Sequence, residues 1–328
     1  MRNIILFMAF SIASFLAQGQ DTFSIVAIDT FTGEIGSAGA SCIDDNSIAG
    51  GAIIISDVLP GRGAIHTQSY WLSSNQLNAR ERMLLGDSPQ EIIDWLEAND
   101  AQNLPGRRQY GIVDTDIDGN PRSAAYTGVN CLNWKGHITG LNYSIQGNIL
   151  LGQQIVDNIE AGFLGTEGTL ADKLMAALQG ANIAGADTRC LNEGVSSLSA
   201  FIRVAQTGNN PDSLYLDLNV PETPFGVEPI DVLQEMYDEW KQWVGVRNQH
   251  ELKNWYLVQY QDEYIMMNKQ GLHGTTSLKL FSVQGNLLVS EHFTSPSHRI
   301  QMSQFPAGVY ILIISDNQHK SQTFKLLK

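Results

Sequence analysis

The order of strand and helix patterns along residues 20–248 constrains the fold of this chain most strongly. Short apolar or alternating runs predict strands at 23–29, 34–41, 47–56, 63–68, 143–146, 197–205 and 213–218. Helical patterns lie mainly in the middle of this stretch, and a last helix begins at Pro229. Because strands and helices do not alternate one by one, the order favours α+β layers over a doubly wound sheet.

Local signals indicate two helix starts and one hairpin. Ser88-Pro89-Gln90-Glu91 is a capping box with Pro at the first helical position. Thr169 is a second N-cap, followed by an apolar helical stripe. Residues 110–114 and 123–127 flank Asp118-Gly119, which predicts a β-hairpin.

The first 19 residues have the pattern of a cleaved export signal. Arg2 supplies a positive start, and residues 4–16 form an apolar run that is too short to span a bilayer. Ala17-Gln18-Gly19 offers small residues at the −3 and −1 positions. The sequence therefore predicts a signal peptide at 1–19 that is cleaved before Gln20.

Charge is distributed unevenly along the chain, with a formal net charge of −14. From His250 onward, seven Lys and Arg residues stand against five Asp and Glu residues, so the acidic excess lies in the preceding stretch. Such an acidic body argues against a nucleic-acid partner, because phosphate binding requires clustered Lys and Arg. Residues 255–328 contain short β-type runs and no convincing helix, which predicts a small all-β sandwich after a main domain at 20–248.

The residues that usually hold metals are few and poorly spaced. His66 and His137 are the two His residues before His250, which excludes a multi-His site in the main domain. Asp114-x-Asp116-x-Asp118-Gly119 matches the first half of a calcium loop, but Ala125 stands where a bidentate Glu is required. We therefore expect a hairpin turn with solvated carboxylates, and neither a metal nor a cofactor.

Three cysteines are present, Cys42, Cys131 and Cys190. An exported protein meets an oxidising compartment, so one pair is expected to form a disulfide and leave one thiol over. The spacing does not indicate which two residues pair.

Thr22 begins the first predicted strand, close to the predicted cleavage site. A Thr at the start of a chain carries a hydroxyl nucleophile beside its own α-amine, and this pair is a self-contained catalyst of acyl transfer. Cleavage before Gln20 leaves Gln20-Asp21 ahead of Thr22, so this chemistry requires a second cut between Asp21 and Thr22. Without that cut, Thr22 is only a strand-capping hydroxyl.

A series of short motifs runs in order along residues 22–205. They are Thr22-Phe23-Ser24-Ile25-Val26-Ala27-x-Asp29, Thr32-Gly33-Glu34-x-Gly36, Thr67-Gln68-Ser69, Arg108-Gln109-Tyr110-Gly111-Ile112-Val113-Asp114, Thr127-Gly128, Trp134-x-Gly136-His137, Gln146-Gly147-Asn148 and Gly185-x-Asp187-x-Arg189. With these motifs, the stretch resembles the domain of unknown function family 1028. That family is grouped by similarity with the N-terminal-nucleophile hydrolases. The resemblance therefore implies a four-layer αββα sandwich, in which two β-sheets lie between helical layers.

In that superfamily the first residue after processing attacks an amide carbonyl, which implies Thr22 as the catalytic residue and a small amide or peptide as the substrate. The residues that we expect to bind the substrate or its oxyanion are Ser41, His66, Gln68, Asn148, Asp187 and Arg189. Asp187 and Arg189 could instead form an ion pair with each other. The alternative to a hydrolase acting on C–N bonds is a non-catalytic ligand-binding protein on the same fold, with residues 39–41, Asp187 and Arg189 lining the cleft. A structural surface module is the third possibility.

Three further motifs lie in the last 51 residues of the sequence. They are Leu278-Lys279-Leu280-Phe281-Ser282-Val283-Gln284-Gly285-Asn286-Leu287-Leu288, Phe305-Pro306-Ala307-Gly308-Val309-Tyr310 and Thr323-Phe324-Lys325-Leu326-Leu327-Lys328. With these motifs, this stretch resembles a type IX secretion (Por-type) C-terminal sorting domain. The resemblance implies that the type IX machinery of a Gram-negative cell is a partner, and that the chain passes through the periplasm to the outer-membrane surface or the medium. An adhesive or carbohydrate-binding β-module is the alternative. No feature of the sequence predicts an oligomeric state.

Overall fold

The computed structural model describes residues 22–245, 255–260, 263–268, 275–282, 286–315 and 321–328. The chain forms two compact units, of which the first ends at Tyr237 and the second begins at Asp238. The predicted signal peptide at 1–19 and its cleavage site before Gln20 lie outside the described residues.

The first unit combines antiparallel strands with helices. The strands are β1 (Thr22–Ile28), β2 (Ile35–Ser41), β3 (Ser56–Leu59), β4 (Gly63–Gln68), β5 (Gln109–Thr115), β6 (Pro121–Thr127), β7 (Lys135–Thr139), β8 (Tyr143–Asn148), β9 (Ser199–Ala205) and β10 (Leu216–Val220). The helices are α1 (Ser73–Leu85), α2 (Pro89–Ala98), α3 (Gln153–Gly165), α4 (Leu170–Gly180) and α5 (Pro229–Gly245), with short 3₁₀ helices at Gly51–Ile55, Pro105–Arg107 and Thr188–Glu193. The expected α+β mixture without βαβ alternation is confirmed.

Two sheets make up this unit. The strands of the first are ordered β10-β9-β2-β1-β8-β7, and those of the second β3-β4-β5-β6. The sheets share an apolar core to which β1 and β2 contribute Val26 and Ile35, and β3 and β5 contribute Val58 and Val113. Helices α1 and α2 contact the second sheet, while α3 and α4 contact the first.

Strand β1 is buried on both faces, as expected of a central strand between two layers. Its neighbour β2 is rich in small residues because side chains of helix α4 and of the paired strand β9 approach it closely. A Cβ at Gly36 would lie 2.4 Å from Leu174 Cδ1 of α4, and a Cβ at Gly39 would lie 2.9 Å from the Phe201 ring of β9. Facing side chains therefore explain both glycines.

Local signals predicted the helix starts and the hairpin correctly. Ser88 and Glu91 form the expected capping box at α2, and Thr169 forms one with Asp172 at α4. In the β5–β6 turn, Asp116 Oδ1 accepts hydrogen bonds from the backbone N–H groups of Asp118 and Asn120. Asp116 therefore shapes the turn, as expected. Asp114, which was expected to be solvated, is instead fully buried, and its Oδ1 accepts from Arg122 Nε at 2.8 Å.

The strand predicted at 47–56 is wrong over most of its length. Gly50 and Gly51 have left-handed backbones, with φ of 87° and 65°, and residues 51–55 form a 3₁₀ helix before β3 begins at Ser56. A Cβ at Gly51 would lie 2.7 Å from Pro221 O, so the chain turns sharply where another segment touches it. A short apolar run does not by itself distinguish a strand from a buried turn.

After the end of helix α5, the described part of the second unit is all-β. Its strands are β11 (Trp255–Tyr260), β12 (Glu263–Asn268), β13 (Thr276–Ser282), β14 (Leu287–Phe293), β15 (Ser297–Gln301), β16 (Val309–Ser315) and β17 (Ser321–Leu327). They form sheets ordered β11-β12-β15 and β14-β13-β16-β17. Both sheets contribute to one core, which contains Met266 and Ile300 from the first and Leu280 and Leu312 from the second. This arrangement is consistent with the small β-sandwich that the sequence predicts.

Within the described ranges, no helix has both the length and the apolar character needed to cross a membrane. The same ranges contain no group of three or more His, Cys, Asp or Glu side chains that could hold a metal ion.

Candidate functional site

Thr22 begins the central strand of the first sheet, and its neighbours are polar. In the strand register it pairs with Ser41 of β2. On its other side Phe23 pairs with Gly147 of β8, so Asn148 continues that strand beside Thr22. Thr22 is 1% exposed, and its Oγ1 has no hydrogen-bond partner among the described residues. The predicted nucleophile therefore lies at the head of β1 as a buried hydroxyl.

Gln68, at the end of β4 in the facing sheet, binds the Thr22 backbone. Its Nε2 donates to Thr22 O at 3.1 Å and to Gln109 Oε1 at 2.8 Å. Its Oε1 accepts from Ser24 Oγ at 2.6 Å, on the same face of β1 as Thr22. The Gln68 side chain thereby holds the carbonyl of the predicted nucleophile across the space between the sheets.

Gln109 of β5 extends this contact to the strands beyond β1. Its Nε2 lies 2.9 Å from Gly147 O, 3.0 Å from Gly136 O and 2.9 Å from Thr127 Oγ1. These acceptors belong to β8, β7 and β6, and Gln109 itself is fully buried. Buried amide groups need such partners, so Gln109 ties the two sheets together at this end.

His66 lies two residues further inside β4 than Gln68. Its Nε2 is 2.6 Å from Ser37 Oγ, and its Nδ1 is 3.1 Å from Gln146 Nε2. Because an amide Nε2 can only donate, we assign the proton to His66 Nε2, which donates to Ser37. Burial, and secondarily the Arg203 charge, lowers the pKa of His66 to about 3, so the ring is neutral.

The surroundings of His66 do not form a Ser-His-Asp arrangement. The group that binds His66 Nδ1 is the Gln146 amide, at the position where a triad has its carboxylate. A ring with such a low pKa is also a weak general base. His137, the other His of the first unit, lies on strand β7 with its Nδ1 2.8 Å from Thr127 Oγ1.

Asp187 and Arg189 form an ion pair with each other, which was the alternative to substrate binding that the sequence left open. Arg189 Nη2 lies 2.7 Å from Asp187 Oδ2, and Arg189 Nε lies 3.0 Å from Oδ1. Asp187 is fully buried, and its Oδ2 also accepts from the Cys42 backbone N–H at 2.9 Å. Because Cys42 directly follows Ser41, this carboxylate lies at the same end of β2 as Thr22.

A disulfide between Cys42 and Cys190 holds the same segment. It joins the residue after β2 to the 3₁₀ helix Thr188–Glu193, with a Cα–Cα distance of 5.8 Å. Cys131 is outside this bridge, and its thiol lies 3.3 Å from Arg108 O. The pairing that the sequence left open is therefore Cys42 with Cys190.

The space between the sheets is polar at the Thr22 end and apolar at the opposite end. Thr22, Ser41, Gln68, Asn148 and Asp187 all lie at or beside the polar end, as their register and hydrogen bonds show. His66 lies deeper, and Arg189 is bound to Asp187 with its side chain 31% exposed.

Sequence reasoning did not identify three further members of this polar set, Ser24, Gln109 and Gln146. Ser24 lies two residues from Thr22, and Gln146 lies two residues from Asn148. In a strand this spacing puts side chains on one face. Polar residues at alternate positions of otherwise apolar strands were therefore the signal for Ser24 and Gln146.

A cavity of about 430 Å³ is connected to the polar end through one of its lining residues. That residue is Leu198, whose backbone N–H donates to Ser41 O at 2.9 Å. Glu193, Glu222 and Phe225 also line the cavity, and the Phe225 ring is largely exposed.

Comparisons with known proteins agree with this fold. A crystal structure of a DUF1028 protein from Silicibacter pomeroyi is 22% identical and covers 67% of this chain and 89% of its own, with a TM-score of 0.54. This likeness concerns the fold alone. A protein with an immunoglobulin-like β-sandwich fold from Bacteroides vulgatus is 15% identical over 23% of this chain and 83% of its own, but its TM-score of 0.22 is too low to support an argument. A search of the curated proteins finds no match.

Two family descriptions match the sequence itself. The Secretion system C-terminal sorting domain matches residues 261–328 and supports type IX secretion, with a surface or extracellular location. The description Family of unknown function (DUF1028) matches residues 22–233, well over half of the chain. The chain therefore belongs to the family of unknown function DUF1028, and it ends in a secretion sorting domain.

Proposed function

We propose that the first unit is an N-terminal-nucleophile hydrolase that cleaves a small amide or peptide after residues 1–21 have been removed. The observation that carries this proposal is the Thr22 hydroxyl. It is buried at the head of the central strand, among polar groups, and has no hydrogen-bond partner among the described residues. A buried hydroxyl in that condition is unfavourable for stability, and catalytic use is one of the accepted explanations.

The arrangement of helices and sheets supports the same proposal. The two sheets share a core, with α1 and α2 against one and α3 and α4 against the other. We propose that this is the αββα layering of the N-terminal-nucleophile hydrolases. In that layering the nucleophile begins a central strand, which is the position of Thr22 in β1.

The proposed reaction needs only groups of the protein and water. Thr22 Oγ1 attacks the amide carbonyl carbon, and the proton of the hydroxyl passes to the α-amine of the same residue. The oxyanion collapses, the C–N bond breaks, and the leaving amine takes that proton. Water then attacks the Thr22 ester, the ester C–O bond breaks, and a carboxylic acid leaves while the hydroxyl and the amine are restored. An α-amine has a reference pKa of about 7.7–8.0, so it can exchange a proton near neutral pH.

Other groups at the polar end would position the reaction. Gln68 holds Thr22 O and thereby orients the nucleophile. Asn148 and the backbone at Ser41 lie beside Thr22, where we propose that they contact the substrate. The cavity of about 430 Å³ that Leu198 lines has the volume of a small-molecule pocket, and Leu198 binds Ser41 O; we propose that this cavity takes part of the substrate.

The first experiment determines the start of the secreted chain. Intact mass and N-terminal sequencing should show a chain that begins at Thr22. Periodate should convert its terminus to an aldehyde, because only a terminal Ser or Thr presents adjacent amine and hydroxyl groups. A secreted chain that begins at Gln20 would contradict the proposal.

The second experiment tests the nucleophile with a β-lactone. Opening of the lactone by Thr22 Oγ1 adds the whole reagent as an ester, so the intact mass rises by one reagent mass. We expect this adduct in the wild type and in the Thr22→Ser control, which keeps a hydroxyl, and none in Thr22→Ala. Equal labelling of Thr22→Ala would show that the reactive group lies elsewhere.

A ligand-binding protein without catalysis is the second candidate, and the hydrogen bonding of the polar end favours it. Gln68, Gln109 and His66 have partners within the protein, as expected of groups that stabilise the fold. The two candidates differ in outcome, because a binding protein would keep its ligand in Thr22→Ala and would form no lactone ester.

The sorting domain implies contact with the type IX secretion machinery. We propose that a Gram-negative cell exports the chain through the periplasm. The mass measurement on the secreted protein also shows whether residues beyond about 250 are removed after transport.

A further inference from the structure

The segment that follows β4 contains two buried donors without acceptors. Ser69 is fully buried, and its Oγ has no hydrogen-bond partner among the described residues. The indole Nε1 of Trp71 is also buried and has no hydrogen-bond partner among the described residues. An indole N–H can only donate, and a hydroxyl can donate one proton. Buried donors in this condition call for an explanation, and binding of a ligand oxygen is one.

In the sequence, the residues that carry these donors closely follow the residue that holds Thr22. Ser69 directly follows Gln68, whose amide binds Thr22 O, and Trp71 lies two residues further on. Consecutive Cα atoms are about 3.8 Å apart, so the turn begins within one residue of the Thr22 contact.

The backbone of this turn is strained. Ser69 and Tyr70 have φ of 54° and 56°, in the left-handed region that residues other than Gly rarely adopt. Two such residues in sequence require support from their surroundings, and strain of this kind clusters at active sites.

The support comes from a buried ion pair behind the turn. Arg108 Nη1 donates to Tyr70 O, and Arg108 Nε lies 2.7 Å from Asp100 Oδ2. Both side chains of this pair are almost completely buried. The guanidinium of Arg107 lies 5.2 Å from the centre of the Tyr70 ring. Neighbouring groups thus hold the turn in a conformation that it would not adopt alone.

We propose that Ser69 Oγ–H and Trp71 Nε1–H bind the oxyanion that forms when Thr22 attacks an amide carbonyl. This inference rests on the function proposed above for Thr22. Donors that are already desolvated and fixed by their surroundings stabilise a developing oxyanion without reorganisation at the moment of reaction. A carbonyl oxygen that becomes an oxyanion supplies the acceptor that both groups lack among the described residues.

Thr67 offers a matched control on the same strand. It is 1% exposed, and its Oγ1 also has no partner in the described part of the chain. In the register it lies opposite Tyr110, whose hydroxyl accepts from Asn75 of α1. Opposed residues share a face of the sheet, so Thr67 faces the helices and not Thr22.

The experiment measures the rate of β-lactone ester formation by intact mass at increasing lactone concentration. It compares the wild type with Ser69→Ala, Trp71→Phe and Thr67→Val. We expect the maximal acylation rate to fall about 100-fold in each of the first two variants, as for loss of one oxyanion donor, with an unchanged half-saturating concentration. Thr67→Val should acylate like the wild type. Thermal unfolding of all four proteins reports whether the fold is retained.

Any of the following three results would overturn the inference. If either Ser69→Ala or Trp71→Phe acylates at the wild-type rate, the two donors are not the oxyanion site, although Thr22 remains the nucleophile. If Thr67→Val slows acylation equally, the effect of the hydroxyls is structural. If the wild type forms no ester at all, the proposed function fails and the inference fails with it.

Discussion

The disulfide between Cys42 and Cys190 should supply a large part of the stability of the first unit. The two residues are 148 positions apart, and the bridge closes a loop that contains most of the strands and helices of this unit. The perturbation that tests this is the double variant Cys42→Ala/Cys190→Ala, which removes the cross-link without leaving a single reactive thiol at the site.

Loop-closure entropy sets the expected magnitude. For a loop of 148 residues, the cross-link restricts the unfolded chain enough to stabilise the fold by about 5 kcal/mol at 25 °C. In a unit of this size, each kcal/mol changes the melting temperature by about 2–4 °C. We therefore expect the double variant to melt about 10–20 °C below the wild type.

Differential scanning calorimetry of the full secreted chain, with and without reductant, is the appropriate assay. Reductant should lower the melting temperature of the wild type to that of the double variant and should leave the double variant unchanged. Cys131→Ala is the control, because Cys131 is buried but lies outside the bridge. It should lose only about 1 kcal/mol, through its contact with Arg108 O, and should keep its response to reductant.

A shift of less than about 3 °C in the double variant would refute the loop-closure reasoning. It would mean that the unfolded chain already holds these two segments together. Limited trypsin digestion adds a local measurement, because the bridge holds the 3₁₀ helix that contains Arg189. Cleavage after Arg189 should be faster in the double variant than in the wild type.

Two further predictions concern buried charges. The folded pKa of His66, about 3, lies below the reference value of 6.5, so the unfolded chain binds more protons once the pH falls below about 6.5. The free energy of unfolding should therefore decrease from pH 6.5 to 5 with a slope that rises toward about 1.4 kcal/mol per pH unit, and urea unfolding of His66→Gln should lack this contribution; parallel pH profiles would contradict it. Asp100→Asn removes the countercharge of the buried Arg108 and should cost about 3–5 kcal/mol in thermal unfolding. Its control Asp217→Asn, which breaks a partly exposed pair, should cost less than about 1 kcal/mol, and equal losses would contradict the role of burial.

Features that depend on neighbouring residues could be predicted from the sequence. The capping boxes at Ser88 and Thr169 and the turn at Asp116 each form within a few residues, so their patterns contain the whole interaction. Helix α1 had no comparable signal, because its pattern is weakly amphipathic and Leu77, Leu84 and Leu85 are exposed on it. The apolar run at 47–56 was ambiguous, because a short apolar run is compatible with both a strand and a buried turn.

The candidate site was predictable only in part. Thr22 was named from its place near the predicted cleavage site, and Gln68 and Asn148 because they belong to motifs that resemble a known family. Nothing in the sequence indicated that the Gln68 amide holds Thr22 O. That contact requires two sheets to pack face to face, with β4 in register beside β5 and opposite β1.

By itself the sequence determined the strand-rich first unit, the all-β end of the chain, the places where helices begin and the residue types available for chemistry. Only the tertiary structure decided that Cys42 pairs with Cys190 and not with Cys131, that Asp187 lies beside Ser41, and that Ser69 lies in a strained turn with its hydroxyl buried. The physical reason is distance along the chain. Contacts within a few residues depend on local propensity and hydrogen bonding, whereas contacts between residues about 100 positions apart depend on how sheets and helices pack as a whole.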